Sequence, residues 1–186
     1  MRSIVEIIEE SPIIAAVRDV KELEGAIESR AGIIFMLCGS ILNMNQIIKR
    51  IKNKDKYVFI HIDLVEGLGR DSAAVEFLKG VGADGIITTR PSLIKDAKSC
   101  GMYAIQRLFM VDSRSLETGI KSILDERPNA VEIMPAATSK IIKKIHEKIN
   151  IPVIAGGLVL EKSDVINALS NGAVAVSTSQ NFLWDE

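Results

Sequence analysis

Two short stretches carry residues suited to gripping a phosphate. Gly156 and Gly157 close the apolar run "PVIAGG" (152–157), and Ser177, Thr178 and Ser179 close "AVAVSTS" (173–179). Glycine lacks a Cβ, so its backbone approaches an anion closely and turns N–H groups toward it. The hydroxyls add donors, and "QNFLW" after Ser179 starts a short helix whose free N–H groups favour negative charge. Taken singly, each motif reads more simply as a tight turn or a helix cap. Together they predict a phosphate cup, because a (β/α)8 barrel builds such a site from the loops after strands seven and eight.

Further polar residues sit at or near the ends of other apolar runs. The first ends in Arg18 and Asp19, the third in Asp63 with Glu66 beyond it, and the fourth in Arg90. Gln106 and Arg107 lie in the fifth and Glu132 in the sixth. His61 and Asp63 are two apart, which places them on one face of an extended strand. Asp63 and Glu132 suit three roles: an acid and base across the mouth, acceptors for ligand hydroxyls, or partners of Arg18, Arg90 and Arg107. The residues alone leave the three open. His61 and His146 have no second ligand at metal spacing, so no metal is expected. Cys38 has no nearby base and reads as a small filler. "GLGRD" (67–71) lacks the spacing of a dinucleotide fingerprint, and no G-x-x-x-x-G-K-[ST] occurs. A small phosphorylated metabolite fits better than a nucleotide.

The elements that must hold these residues are legible as eight β-branched runs, at 13–19, 32–37, 57–63, 85–89, 103–109, 130–135, 152–157 and 173–179. Amphipathic segments separate them. Asp71 caps "SAAVEFLKGVG", with Ala74, Leu78 and Val81 on one face before Gly82. "SKIIKKIHEKI" sets Ile141, Ile142, Ile145 and Ile149 against Lys140, Lys144 and Lys148. Eight strand–helix alternations predict an α/β fold, a small (β/α)8 barrel of parallel strands forming one domain over 1–186. "GADGIITT" (82–89) echoes "GAVAVSTS" (172–179), as strands four and eight of two half-barrels would. "SIVEIIEE" (3–10) reads as an extra helix covering the barrel bottom.

Of 186 residues, 23 are Lys or Arg and 24 Asp or Glu, a net charge of −1. Such a balance exerts no general pull on nucleic acid, so RNA contact needs a local patch. Two are available, "KRIKNKDK" (49–56) and "KIIKKIHEK" (140–148), neither interleaved with aromatics for base stacking. On charge alone, each reads as a solvated helix face. Two cysteines without a metal or disulfide pattern, strand-sized apolar runs and no signal-peptide order predict a soluble, cytoplasmic protein.

Six strings in order carry a resemblance: "HIDLVEGLGRD" (61–71), "DGIITTR" (84–90), "YAIQRLFMVDSRSL" (103–116), "VEIMP" (131–135), "IPVIAGGLV" (151–159) and "GAVAVSTSQNFLW" (172–184). They resemble the bacterial glycerol-3-phosphate-responsive antiterminator family, from about strand one to Trp184, with "AIQRLFMVDS" the most specific part. Ala136 stands where that family commonly has Gly, and "CGSI" (38–41) diverges. The resemblance implies a transcription regulator of glycerol metabolism and not a catalyst. It would sense glycerol 3-phosphate as an effector, with no cofactor, and bind leader mRNA of glycerol-uptake genes to prevent premature termination. Gly156, Gly157, Thr178 and Ser179, joined by Ser177, would hold the phosphate. Arg18, Asp63, Gln106, Arg107 and Glu132 would meet the glycerol hydroxyls or fix the mouth. Lys140, Lys143 and Lys144 would face the RNA, and the loop after Asp63 would move. A homo-oligomer is compatible with this reading. The rivals are a barrel isomerase, epimerase or lyase on a small phosphorylated metabolite, and a metabolite sensor with a protein partner. Against the enzyme stands the lack of a strand-end lysine.

Overall fold

The computed structural model describes residues 2–136 and 139–186, apart from the side chain of Ser139. Eight parallel strands close in sequence order: β1 (Ile13–Val17), β2 (Ile33–Met36), β3 (Tyr57–His61), β4 (Gly85–Thr88), β5 (Tyr103–Phe109), β6 (Ala130–Met134), β7 (Val153–Gly156) and β8 (Ala175–Thr178), with β8 pairing β1. Every predicted run contains one of them. The (β/α)8 barrel read from the sequence is the observed fold.

Helix α1 (Ile4–Glu10) precedes β1. Ser3 and Glu6 form its capping box, and Ile4, Ile7 and Ile8 recur at the spacing of one helical face. That face joins an inner core with Ile14, Ile33, Phe35, Phe59, Ile105 and Ile154, so the helix plugs the barrel as expected. Outside the sheet run α2 (Leu23–Glu28), α3 (Met44–Lys52), α4 (Ser72–Gly80), α5 (Pro91–Ser99), α6 (Ser113–Glu126), α7 (Ser139–His146) and α8 (Lys162–Ser170). Asp71 caps α4 by accepting from the N–H of Ala74. After β8 the chain makes only a 3-10 turn, Asn181–Leu183. The indole of the buried Trp184 donates to the carbonyl of Thr178 at 2.8 Å and ties that turn to the strand end.

The alternation of strand side chains divides two cores. One fills the barrel; the other, with Val58, Ile60, Ile86, Val131 and Val176, lies between sheet and helices. Gly85 belongs to the inner set by position. A Cβ there would stand 2.6 Å from the Phe59 ring and 2.7 Å from the Tyr103 carbonyl, so Gly85 leaves room for the ring. Phe59 in turn meets Phe35 edge to face at 5.7 Å.

His61 ends β3 on the inner face, 3% exposed. Its Nδ1 lies 3.8 Å from Asp63 and makes no hydrogen bond among the described residues. Burial, reinforced by the Arg107 guanidinium, lowers its pKa from 6.5 to about 4, while Asp63 pulls the other way.

Two measurements check this packing. Gly85→Ala should cost about 1–3 kcal/mol in urea unfolding, because rigid ring and backbone atoms oppose the added methyl. His61 binds its proton more readily unfolded than folded. Stability should therefore be whole above about pH 6.5 and fall by about 1–3 kcal/mol as pH drops to about 4. In His61→Gln that share of the slope should vanish.

Candidate functional site

A cavity of about 590 Å³ opens at the C-terminal ends of the strands. Arg107 and Glu132 reach it from β5 and β6, Arg18 from just beyond β1, the loop after β7 supplies Gly157–Leu160, and the end of β8 with the loop after it supplies Ser177–Gln180. Its floor is an ion pair. The carboxylate of Glu132 is fully buried, accepting from Arg107 Nε at 2.6 Å and from Ser177 Oγ at 2.5 Å. A Cβ on Gly156 would stand 2.6 Å from both Glu132 Oε1 and Ser177 Oγ. Gly156 thus makes room for the carboxylate–hydroxyl contact.

Above the floor, Gly157 and Leu158 both take left-handed backbone, φ +72° and +56°. A Cβ on Gly157 would press to 2.7 Å from the Met134 methyl. The N–H groups of Gly157, Leu158 and Ser179 make no hydrogen bond among the described residues. Consecutive N–H groups of this kind form an anion-binding concavity. Arg18 borders it, its guanidinium unpaired among the described residues, and Ser179 lines the same cavity half-buried. The carbonyls of Gly156 and Gly157 both accept from the N–H of Ala136, at 2.7 and 3.0 Å, which joins this loop to the segment entering α7.

Thr178 plays a different part from its neighbours. It faces away from the barrel interior, donates to the Val159 carbonyl at 3.1 Å and accepts from the N–H of Gln180 at 3.0 Å. Its hydroxyl binds the loops after β7 and β8 together. Gln106 also departs from the expected mouth position. Period two sends Arg107 inward, so Gln106 points outward and donates to Ser122 Oγ on α6 at 2.7 Å. Asp63 lies past β3 in a 3-10 turn, Ile62–Leu64, and not within the strand. It approaches His61 through that turn, accepts from Thr88 Oγ1 and from Thr89, and meets Arg90 at 3.3 Å. Asp63 is outside the cavity wall, and its neighbour Leu64 is part of it. The loop after it is fixed to the β2 loop by backbone bonds between Glu66 and both Gly39 and Ile41.

Sequence reasoning missed the apolar wall: Leu37, Leu64, Met134, Leu158 and Leu160. Its only signal was leucine in "GGLVL", where a turn is ordinarily polar. Cys38 is no activated nucleophile, since burial and the charges of Asp19 and Glu22 raise its thiol pKa. The two basic clusters also differ. In and after α3, Arg50 pairs with Glu24, Lys52 with Asp84 at 2.8 Å and Lys54 with Glu28 at 3.0 Å. On α7, Lys140, Lys143 and Lys144 are exposed and have no ion-pair partner among the described residues. Among those residues no helix is long and apolar enough to cross a membrane.

Known proteins resemble this chain over nearly its whole length. The family model for the glycerol-3-phosphate responsive antiterminator matches residues 13–184. An uncharacterized protein of Escherichia coli K12, YgcP, is 41% identical over 97% of this chain and 95% of its own length. The crystal structure of a glycerol uptake operon antiterminator regulatory protein from Listeria monocytogenes is 37% identical, covering 92% of this chain and 94% of that one, with a TM-score of 0.89. A glycerol uptake operon antiterminator-related protein from Thermotoga maritima is 36% identical over 94% and 98% of the two chains, with a TM-score of 0.84. With barrel, order of motifs and near full-length similarity in agreement, the chain belongs to the glycerol-3-phosphate responsive antiterminator family.

Proposed function

We propose that this chain is a glycerol 3-phosphate sensor that acts on leader mRNA and carries out no catalysis of its own. The carrying observation is a cavity whose floor charges already cancel, while the Arg18 guanidinium and the N–H groups of Gly157, Leu158 and Ser179 around it have no partner among the described residues. Such a seat suits a phosphate dianion. Glu132 would accept from the glycerol hydroxyls with its remaining lone pairs, held in place by Arg107 and Ser177. A carboxylate clamped on both oxygens is better suited to recognition than to proton transfer.

The RNA contact is assigned to α7, because Lys140, Lys143 and Lys144 have no ion-pair partner among the described residues, whereas Arg50, Lys52 and Lys54 around α3 are paired. Ligand control then has a short route. A phosphate bound by Gly157 and Leu158 bears on a loop that is hydrogen-bonded to Ala136, three residues before α7 begins. The ligand acts by favouring the arrangement that binds RNA. As a regulator of nascent transcripts, the protein would work in the cytoplasm.

Calorimetric titration tests the sensor. Glycerol 3-phosphate should bind, inorganic phosphate weakly and glycerol not at all, and Arg18→Ala should weaken the ester about tenfold or more. Failure of the ester to bind would remove the reading, and turnover of a phosphorylated metabolite would replace it with the enzyme. For RNA, leader transcripts of glycerol-uptake genes should be retained only with the ester present. Lys140→Gln, Lys143→Gln and Lys144→Gln together should weaken retention and reduce its salt slope by about 2. Bound ester without RNA retention would point to a protein partner.

A further inference from the structure

The proposed glycerol 3-phosphate site is larger and more apolar than that ligand requires. Glycerol 3-phosphate has about ten non-hydrogen atoms, which at water's share of liquid volume fill at most about 300 Å³. The cavity offers about 590 Å³. Its wall beyond the phosphate cup is Leu37, Leu64, Met134, Leu158 and Leu160, against which a glycerol backbone has only three hydroxyl- or ester-bearing carbons to place. Leu64, Leu158 and Leu160 are 46%, 64% and 58% exposed, so the wall continues outward as an open apolar rim.

The rim is no accident of a generally greasy surface. Of eleven exposed large apolar side chains among the described residues, only Leu124 in α6 and Ile166 in α8 lie away from the C-terminal mouth. The others end or follow the strands, from Val20 after β1 through Phe109 at the end of β5 to Phe182 after β8. Apolar side chains gathered at one end, around a cavity with an apolar wall, mark a place where apolar matter is bound.

Resting on the glycerol-phosphate reading of the cup, we infer that the site takes a phosphomonoester of glycerol that carries an apolar chain. The phosphate sits at Arg18 and the Gly157–Leu158 turn. The glycerol faces Glu132, and the chain leaves along Leu64 and Leu160. Either a soluble short-chain ester or a lipid headgroup presents this chemistry.

The test is calorimetric titration of the full chain with glycerol 3-phosphate and its butanoyl, hexanoyl and octanoyl monoesters. Affinity should rise roughly two- to fourfold for each added methylene, the gain expected from partial to full burial of a CH₂ group. Leu64→Ser combined with Leu160→Ser should cut the octanoyl ester's advantage over glycerol 3-phosphate at least tenfold. Affinity that stays level or falls along the series, with glycerol 3-phosphate still binding, overturns this inference and leaves the sensor reading standing. No binding by any member overturns both. Flotation with phosphatidylcholine vesicles, with and without lysophosphatidic acid, separates the sources. Lipid-dependent flotation supports a membrane headgroup, and its absence beside tight ester binding supports a soluble ligand.

Discussion

Glu132 is a carboxylate with no exposure to water, at the point where the barrel opens. An unpaired charge in that position would cost several kcal/mol, so its surroundings are bound to answer it. Arg107 supplies the countercharge from the neighbouring strand, in register with it, and Ser177 supplies the second donor from β8, one strand beyond β7. Gly156 must then be glycine, since any Cβ would occupy the space of that contact. The same guanidinium helps hold His61 neutral. One buried charge therefore constrains residues on five of the eight strands: β3, β5, β6, β7 and β8.

The cup above this floor is held by a separate set of contacts. Left-handed backbone at Gly157 and Leu158 reverses the chain, and Leu158 accepts a conformation that disfavours a branched or bulky side chain. Such a turn persists only if its surroundings over-determine it. They do so from both sides. Ala136 bonds the carbonyls before and within the turn, and Thr178 bonds the carbonyl just after it. Trp184 then anchors the carbonyl of Thr178. The hydroxyl read from sequence as a phosphate ligand is thus part of the frame that shapes the proposed phosphate seat.

The fold was legible because buried parallel strands advertise themselves as β-branched runs, and eight of them with intervening amphipathic segments leave few alternatives. The plug helix was legible from its capping box and Ile4, Ile7, Ile8 spacing. The site was legible in its location and less so in its parts. Gln106 and Arg107 are adjacent, and a strand can turn only one of them inward; a polar pair does not say which. Asp63 looked like a strand residue because the apolar run continues through Ile62, whereas β3 stops at His61. The ion pairs that neutralise the basic cluster around α3 join partners 26 to 32 positions apart in three cases, a separation that charge counting along one helix does not reach.

That contrast between two lysine-rich surfaces bears on how a nearly neutral protein would address a polyanion, as proposed for RNA. Charges already engaged with Glu24, Glu28 and Asp84 must break those pairs before they meet a phosphate, which offsets part of the gain. The lysines of α7 carry no such debt. In the proposed mechanism the effector decides whether that face is presented well, and the energy needed is small. A single charge-assisted hydrogen bond to the phosphate, made in only one arrangement of the Gly157–Leu158 turn, is worth about 1.5–3 kcal/mol. Coupled through Ala136 to the entry of α7, that difference shifts the balance of two arrangements about ten- to a hundredfold, which is the ordinary range of allosteric coupling.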